Sequence, residues 1–232
     1  MKLALLGDVH GNFRALKVVL SRARLLNVNA LLITGDLVGY YDAPSIVMEM
    51  LNAWECYIVR GNHEDMLKIA RTDGEFLTNV DAKYGRGLRS ALEQLSDNQL
   101  DMLCNLPHPL EVHMSNCKIL LCHGSPWDNN HYIYPDSSLE VFDKCAQQQY
   151  DLVVLGHTHY SMRQKIGNTL VVNPGSVGQP RNRKPGAQWA LYDTESKVLE
   201  FFNESYECSE LVEECRVNSP QLPYLAEILT RT

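Results

Sequence analysis

Five histidines and three other polar residues stand at the ends of apolar segments, inside short turns that contain glycine. The turns read GDVHGN (7–12), TGDLVG (34–39), RGNHE (60–64), CHGSP (122–126) and GHTH (156–159). The polar side chains in them are Asp8, His10, Asp36, Asn62, His63, His123, His157 and His159. Carboxylate, imidazole and amide oxygen donors together suit divalent ions such as Mn²⁺, Fe²⁺ or Zn²⁺ and not a thiolate site. This is too many donors for one ion and fits two ions that share a bridge.

Each turn taken alone also has a plainer interpretation, as a strand end or a helix cap. Glycine permits the sharp change of direction that any such turn needs. Asp8 and His10 are two residues apart, so on an extended segment both would point to the same side, and His157 and His159 share that spacing. Five such turns at one edge of a sheet favour a functional site over ordinary turn chemistry.

The elements that would position these residues follow from the apolar periodicity. Residues 2–6, 30–34 and 56–60 have the character of buried strands, and helical patterns at 13–26 and 44–52 separate them. This alternation predicts right-handed βαβ units and parallel strands that are buried on both faces. The polar turns then lie at the carboxyl ends of the strands, where ligands bind in open α/β sheets.

The rest of the chain predicts a mixture of helices and hairpins. Residues 64–106 are mostly helical, with Ser96 as a cap, and further helices are predicted near 138–148 and in 222–230. Hairpins are predicted to turn at Ser115-Asn116, at Gly167-Asn168 and around 194–196, with a buried strand before GHTH. We expect one domain over 1–232, with a motif core at 2–178 and a C-terminal hairpin and acidic helical tail at 179–232. Whether the tail is a packed flank or a dimer surface stays open.

Composition excludes several classes of function. The 232 residues carry a net charge of −7, which disfavours stable binding of duplex nucleic acid. No segment has the length of a membrane span, and the N-terminal apolar run is too short for a signal peptide. The seven cysteines form no CxxC pair, so reduced thiols and a cytoplasmic location are expected. A homo-oligomer is neither indicated nor excluded.

The five turns, in this order across residues 2–178, resemble the motif blocks of the calcineurin-like metallophosphoesterases. VGYxxxP after Asp36 and NPGSVGQPR at 173–181 are similar to the small bacterial and archaeal phosphodiesterase-like members. The resemblance implies an α/β protein of the four-layer α/β/β/α sandwich type, with two mixed β-sheets packed face to face.

The same resemblance implies the metal ligands. One divalent transition metal ion would be held by Asp8, His10, Asp36 and His159. The second would be held by Asp36, Asn62, His123 and His157, with Asp36 as the bridge. Manganese is the expected metal, and iron, zinc and nickel are alternatives. His63 corresponds to the family histidine that contacts the substrate phosphate or protonates the leaving oxygen, and Glu64 would orient it.

Candidate substrate contacts are Asn62, Arg60 and Tyr40. Arg60 could instead anchor a strand end, and Tyr40 could pack on a neighbouring helix. Asn173 to Ser176 are expected to form a fixed turn behind the metal site. Trp127, Asp128 and His131 are candidates for a flap. Arg181, Arg183 and Lys184 form a small basic cluster that is either solvated or an anion contact.

The function that these features favour is hydrolysis of a small phosphodiester or nucleotide by a metal-bridging hydroxide. The alternatives are a phosphomonoesterase, a dinucleoside polyphosphate hydrolase, or a non-catalytic binding scaffold of the same fold. A nuclease is disfavoured because the chain has no basic extension. A protein phosphatase is disfavoured because the DRG segment of that subfamily is missing after Asp36.

Overall fold

The computed structural model describes residues 1–114, 116–147 and 149–232. Within these ranges the chain forms two five-stranded sheets and nine helices. The strands are β1 (Lys2–Leu6), β2 (Ala30–Ile33), β3 (Cys56–Ile58), β4 (Leu110–Met114), β5 (Cys117–Leu121), β6 (Leu152–Val154), β7 (Met162–Ile166), β8 (Thr169–Asn173), β9 (Ala187–Asp193) and β10 (Leu199–Glu204). The helices are α1 (Phe13–Leu25), α2 (Pro44–Leu51), α3 (Asn62–Ala70), α4 (Gly74–Tyr84), α5 (Gly87–Gln94), α6 (Asp97–Cys104), α7 (Leu139–Ala146), α8 (Ser209–Asn218) and α9 (Tyr224–Thr230).

Both sheets are mixed, with parallel strands beside antiparallel ones. The first sheet has the order β10–β9–β1–β2–β3, in which β1, β2 and β3 are parallel, as predicted. The β9–β10 hairpin adds to the free side of β1 in antiparallel orientation. The second sheet has the order β4–β5–β6–β8–β7, with β5, β6 and β8 parallel and an antiparallel strand at each edge.

The two faces of β1 show why the chain forms four layers. Leu3 and Leu5 point to the second sheet and pack among its strand residues. Ala4 and Leu6 point the other way and pack against residues of α1 to α6. Phe142 and Cys145 of α7 cover the outer face of the second sheet. Because alternate residues are buried on opposite faces, every central strand is almost entirely apolar, and the predicted four-layer sandwich is confirmed.

The carboxyl ends of strands from both sheets meet at one edge of this sandwich. The Gly178 amide donates to the Asp8 carbonyl at 3.0 Å, which joins the segment after β8 to the segment after β1. The Gly156 amide donates to the His123 carbonyl at 2.6 Å, which joins the segments after β6 and β5. The turns named above are thereby brought to a common place, although they are far apart in the sequence.

The predicted local elements are largely found. Ser96 caps α6 and accepts from the Gln99 amide, and the turn at Gly167-Asn168 joins β7 and β8. The predicted hairpin turn at Ser115-Asn116 includes Ser115, which lies outside the described residues. None of the helices in the described part of the chain has the length and apolar character that a bilayer crossing requires.

The C-terminal tail contains one helix that the sequence did not predict. The predicted helix in 222–230 is α9, and α8 precedes it. Leu211 of α8 and Leu225 of α9 form a buried cluster with Tyr40 and Tyr41. The tail is therefore a packed flank behind the Tyr40 loop.

We expect Leu225→Ala to lower the free energy of unfolding by about 2–5 kcal/mol, because it leaves a cavity under Tyr41. Leu225 is 1% exposed, whereas Val217 on the neighbouring helix is 68% exposed. Val217→Ala, the matched control, is expected to change stability by less than about 0.5 kcal/mol. Chemical denaturation measures both, and equal stability of the two variants would contradict the assigned packing.

Candidate metal centre

The predicted ligands are held in an unusual backbone conformation. They were expected on extended segments, but several of them lie in the left-handed region, and this expectation is therefore wrong. The residues with φ between 52° and 66° include Asp8, His10, Asp36, His157 and His159. Left-handed geometry costs roughly 1–2 kcal/mol for a residue with a Cβ, and such strain concentrates at functional sites. In each of these turns the predicted ligand residue itself takes the strained conformation, and the turn also contains a glycine.

The first cluster consists of Asp8, His10 and His159, all of which are buried. The Nε2 atoms of His10 and His159 are 3.2 Å apart. His159 Nε2 lies 3.4 Å from Asp8 Oδ1. These side chains come from the turn after β1 and the turn after β6, so both sheets contribute to the cluster.

The second cluster surrounds His123. Its Nε2 lies 2.9 Å from Asn62 Oδ1, 3.1 Å from His157 Nδ1 and 3.5 Å from Asp36 Oδ2. The side chains therefore come from the segments after β2, β3, β5 and β6. Each cluster has the mixture of nitrogen and oxygen donors that borderline divalent ions take.

Asp36 lies between the two clusters. Its Oδ2 is 3.7 Å from His10 Nε2 of the first cluster and 3.5 Å from His123 Nε2 of the second. Its other oxygen, Oδ1, accepts a hydrogen bond from the His63 amide at 2.9 Å. A built Cβ on Gly61 would collide with Asp36 Oδ1, so the chain needs glycine there. One carboxylate oxygen of Asp36 thus faces both clusters.

For three of these histidines, the hydrogen-bond partner of Nδ1 shows which ring nitrogen carries the proton. In each case Nδ1 lies within hydrogen-bond distance of a backbone carbonyl, which can only accept. The pairs are His10 with Val38 at 3.0 Å, His123 with Thr34 at 2.7 Å and His159 with Gln179 at 2.6 Å. Each Nδ1 therefore donates, and each Nε2 presents a lone pair to the cluster interior.

This tautomer assignment makes the centre a set of opposed acceptors. The lone pairs of His10 Nε2 and His159 Nε2 face each other across 3.2 Å. Asp8 Oδ2 is also buried and has no hydrogen-bond partner. Burying acceptors without donors is costly, and a cation between them removes the cost. The residues therefore fit a pair of divalent metal ions, and the buried clusters are consistent with a dinuclear site.

Burial shifts the pKa values of these groups toward their neutral forms. Burial raises the pKa of Asp8 to about 8, and burial together with the nearby Glu64 raises that of Asp36. Burial lowers the pKa values of His10, His123 and His159 well below their usual range and lowers that of His157 to about 4. The imidazoles are therefore neutral at pH 7 and ready to bind a cation, whereas Asp8 must lose a proton.

Glu64 has a different role from the one predicted. Its carboxylate accepts from the Gly61 and Asp36 amides through Oε2 and from the Leu37 amide through Oε1, each at 2.8 Å. The prediction that Glu64 orients His63 is thus corrected, because both of its oxygens hold the Asp36 loop against the start of α3. Glu64 acts as a positioning residue for Asp36.

His63 lies beside both clusters and against a wall of tyrosines. Its Nε2 is 4.0 Å from Asp36 Oδ2, and it shares a potential ligand group with His10 and Asp36. The Tyr40 ring lies 4.8 Å from the His63 ring and 4.5 Å from the His10 ring. Gly39, with φ of 91°, leaves the space that His63 occupies, since a Cβ there would collide with Nδ1. The Tyr40 ring lies beside the site and also packs against α8 and α9, so the structure agrees with both interpretations of this residue.

Arg60 is anchored away from the clusters. Its Nε lies 2.6 Å from Asp65 Oδ1, and its Nη1 donates to the Leu106 carbonyl at 2.9 Å. These contacts join the end of β3 to α3 and to the segment after α6. They correspond to the anchoring role that was the alternative for this residue.

The sequence did not distinguish Arg181 from its basic neighbours Arg183 and Lys184. Arg183 and Lys184 are exposed, but Arg181 is partly buried, and its Nη2 donates to the Tyr40 hydroxyl at 3.0 Å. Its charge lowers the pKa values of His63 and His159. The only sequence signal was its place at the end of NPGSVGQPR, because its neighbours are of the same type.

The turn of Asn173 to Ser176 lies behind the first cluster, as expected. Ser176 Oγ donates to the Asp8 carbonyl at 2.8 Å, and Asn173 Nδ2 donates to the Gly156 carbonyl at 2.7 Å. The turn therefore supports the strained backbone at Asp8 and the backbone directly before His157.

The segment after CHGSP contacts the site through a different residue from the three suggested. Tyr132 lies on the His157 ring at 3.9 Å between centroids. Trp127 instead packs on His131 and under the Lys144 ammonium group. The candidate flap is thus formed by Tyr132 and its neighbours.

Comparison with known proteins agrees with this geometry. Residues 1–197 match the calcineurin-like phosphoesterase superfamily domain. The chain is 26% identical over 232 residues to the uncharacterized protein MJ0912 of Methanocaldococcus jannaschii, covering 91% of this chain and 90% of that one. It is 26% identical over 209 residues to phosphodiesterase YfcE of Escherichia coli K12, covering 84% and 89% of the two chains.

The fold is also similar to a solved structure over nearly its whole length. The crystal structure of hypothetical protein PH1004 from Pyrococcus horikoshii superposes with a TM-score of 0.87 at 22% identity. The superposition covers 99% of this chain and 98% of that one. At this identity the similarity establishes the fold alone.

We expect metal uptake at pH 7 to release a proton from Asp8 and none from the site histidines. Burial raises the pKa of Asp8 to about 8, so this group starts protonated, whereas burial keeps the imidazoles neutral. The release should diminish as the pH rises through about 8. Calorimetry of Mn²⁺ binding in buffers of different ionisation enthalpy measures it. Uptake of protons, or a release that does not vary with pH, would contradict the assigned protonation states.

Proposed function

We propose that this chain, which belongs to the calcineurin-like phosphoesterase superfamily, hydrolyses a small phosphodiester with two bound divalent metal ions. The observation that supports this most directly is the set of opposed buried acceptors, in which His10 and His159 face each other and Asp36 is shared. A cation on each side of Asp36 would satisfy every one of them.

The ligand assignment follows the two clusters. Asp8, His10, Asp36 and His159 would hold one ion. Asp36, Asn62, His123 and His157 would hold the other, and manganese remains the expected metal. When bound, such a pair of ions activates water as a nucleophile and offsets charge on the phosphoryl oxygens.

His63 would contact the leaving oxygen. Burial and the charge of Arg181 lower the pKa of His63 to about 3, so the ring is neutral and retains one N–H to donate. An arriving phosphate anion would raise this pKa, because it stabilises the imidazolium form. The ring is therefore suited to donating a hydrogen bond first and a proton as the ester bond breaks.

Arg181 and Tyr40 would also contact the phosphate and orient it. The Arg181 side chain is held by the Tyr40 hydroxyl at 3.0 Å and lowers the pKa values of the site histidines through its charge. A guanidinium near the site is suited to a phosphate, since it offers several donors in one plane. Asn62 lies at the start of α3, whose N-terminus favours an anion.

The alternatives are less well supported. A dinucleoside polyphosphate hydrolase would need cations for several phosphates, and the candidate contact Arg60 is instead bound by Asp65 and the Leu106 carbonyl. A metal-free scaffold would leave the acceptor lone pairs of His10 and His159 unpaired. The name phosphodiesterase of one relative supports a diester, and not a monoester, as the substrate class proposed for this chain.

Asp36→Asn tests the metal requirement and the activity together. We expect the wild-type chain, loaded with Mn²⁺, to hold about two ions and to cleave bis(p-nitrophenyl) phosphate. The variant should lose bound metal and lower kcat/KM by about 100-fold or more, because the shared ligand is weakened.

Asp42→Asn is the matched control, since Asp42 accepts from Ser90 and Asn218 and contacts no predicted ligand through its carboxylate. Elemental analysis and the chromogenic assay are run on both variants. Full activity in Asp36→Asn, or equal losses in the two variants, would refute the bridging assignment.

His63→Asn separates catalysis from metal binding. We expect turnover to fall by about 100-fold or more while the metal content stays near two ions, because His63 would act on the leaving oxygen. His113→Asn is the control, as His113 lies on β4 with a side chain that is 67% exposed. An equal loss of metal and turnover would instead make His63 a ligand beside His10 and Asp36.

A further inference from the structure

A cleft of about 530 Å³ opens beside the second metal cluster. Asn62 and His157, both predicted ligands, form its inner end. Its sides come from α3, from α4 and from the segment that carries Tyr132. A molecule held by its phosphate at the metal clusters would therefore extend naturally into this cleft.

We propose that the cleft binds a planar nucleobase on one arm of the phosphodiester, so that the substrate is a nucleotide ester. This inference rests on the proposed function, because the metal ions bound at the two side-chain clusters would hold the phosphate. The remaining steps concern the walls, the charge and the size of the cleft.

The walls are apolar and aromatic. Met66, Ile69, Phe76, Tyr84 and Tyr132 line the cleft. Ile69 is 48% exposed and Tyr132 is 47% exposed, so both present apolar surface to a molecule in the cleft. Aromatic side chains bind any base through its π-face, so this lining favours a flat ring over a sugar or a simple alcohol.

Two tyrosines place a ring close to the reacting phosphate. The Tyr84 ring lies 5.6 Å from the His63 ring, and the Tyr132 ring lies 3.9 Å from the His157 ring. A base in contact with either tyrosine would therefore lie next to a residue of the site, as the base of a nucleoside ester requires when its phosphate is held at the clusters.

The polar groups at the rim suit the edge of a base and do not repel an anion. Asn79 and Asn130 are exposed amides that can donate and accept, as the edge of a base requires. The Asp65 carboxylate is already bound by Arg60 at 2.6 Å and by Asn129 at 2.7 Å. Lys83 lies 4.8 Å from the centre of the Tyr84 ring and adds a positive charge.

The volume supports a single nucleoside. Small-molecule sites usually enclose about 300–1,000 Å³, and this cleft lies within that range. A lipid tail would find only part of its length covered, since the cleft is open along one side. The observations therefore favour a nucleobase as the occupant.

The test compares adenosine 5′-monophosphate with ribose 5-phosphate on the Mn²⁺-loaded protein. The two probes share the phosphate and the ribose, so the difference in Kd measures the base alone. We expect the base to tighten binding by about tenfold or more. Calorimetry gives both constants and does not require turnover.

Asn79→Trp tests the location of the base. Asn79 is exposed on α4, so an indole there should fill the cleft while the helix stays folded. We expect the tenfold advantage of the nucleotide to fall toward one. Ala82→Trp is the matched control, because Ala82 is exposed on the same helix outside the cleft, and it should keep the advantage.

Equal Kd values for the two probes on the wild-type protein would overturn the inference, as would an advantage that Asn79→Trp leaves unchanged. These outcomes differ from a failure of the proposed function. If the loaded protein cleaves bis(p-nitrophenyl) phosphate but does not distinguish the probes, only the base site is wrong. If it cleaves no phosphoester, the proposed function fails, and the same two Kd values still report on the cleft.

Discussion

The structure around the two side-chain clusters depends on one constraint, which is that several buried acceptors face each other. His10 and His159 each use Nδ1 to donate to a backbone carbonyl, so both present a lone pair across 3.2 Å. Asp8 adds a buried carboxyl oxygen that has no hydrogen-bond partner. This arrangement stores an unfavourable electrostatic energy in the metal-free chain, and binding of cations would release it. These groups therefore destabilise the folded state of the metal-free chain, and the same groups favour metal uptake.

The surrounding chain holds these groups in place against that cost. The left-handed backbone at Asp8 and His10 is supported by the Ser176 hydroxyl and by the Gly178 amide, which both bond to the Asp8 carbonyl. Glu64 accepts from the amides of the Asp36 loop. Strain of this kind persists only where neighbouring hydrogen bonds over-determine the conformation. Apart from Glu64, this support comes from outside the five turns, which explains why NPGS is needed although it places no ligand at the clusters.

The site also depends on parts of the chain that carry no ligands. The tail helices α8 and α9 pack behind Tyr40 and Tyr41, and Arg231 donates to the Arg181 carbonyl at 3.0 Å. Tyr40 in turn contacts His10, His63 and Arg181. The acidic tail is thereby joined to the wall of the site by packing and by hydrogen bonds, among them the one from the Tyr41 hydroxyl to the Leu225 carbonyl. On the opposite side, Tyr84 and Tyr132 border the cleft, so aromatic rings surround the clusters on more than one side.

The sequence by itself determined the residue types, the strand ends and the order of the turns. Apolar runs followed by Gly, Asp and His are local features, so β1, β2, the hairpins and the candidate ligands could be predicted from them, and the family resemblance supplied the two sheets. Only the tertiary structure decided what depends on residues distant in the chain. The amides that donate to Glu64 lie in the Asp36 loop, Arg60 is bound by Asp65 and by the carbonyl of Leu106, and Arg181 differs from Arg183 in its burial and in its contact with Tyr40. A side chain's role follows from the groups that surround it, and spacing along the chain does not contain that information.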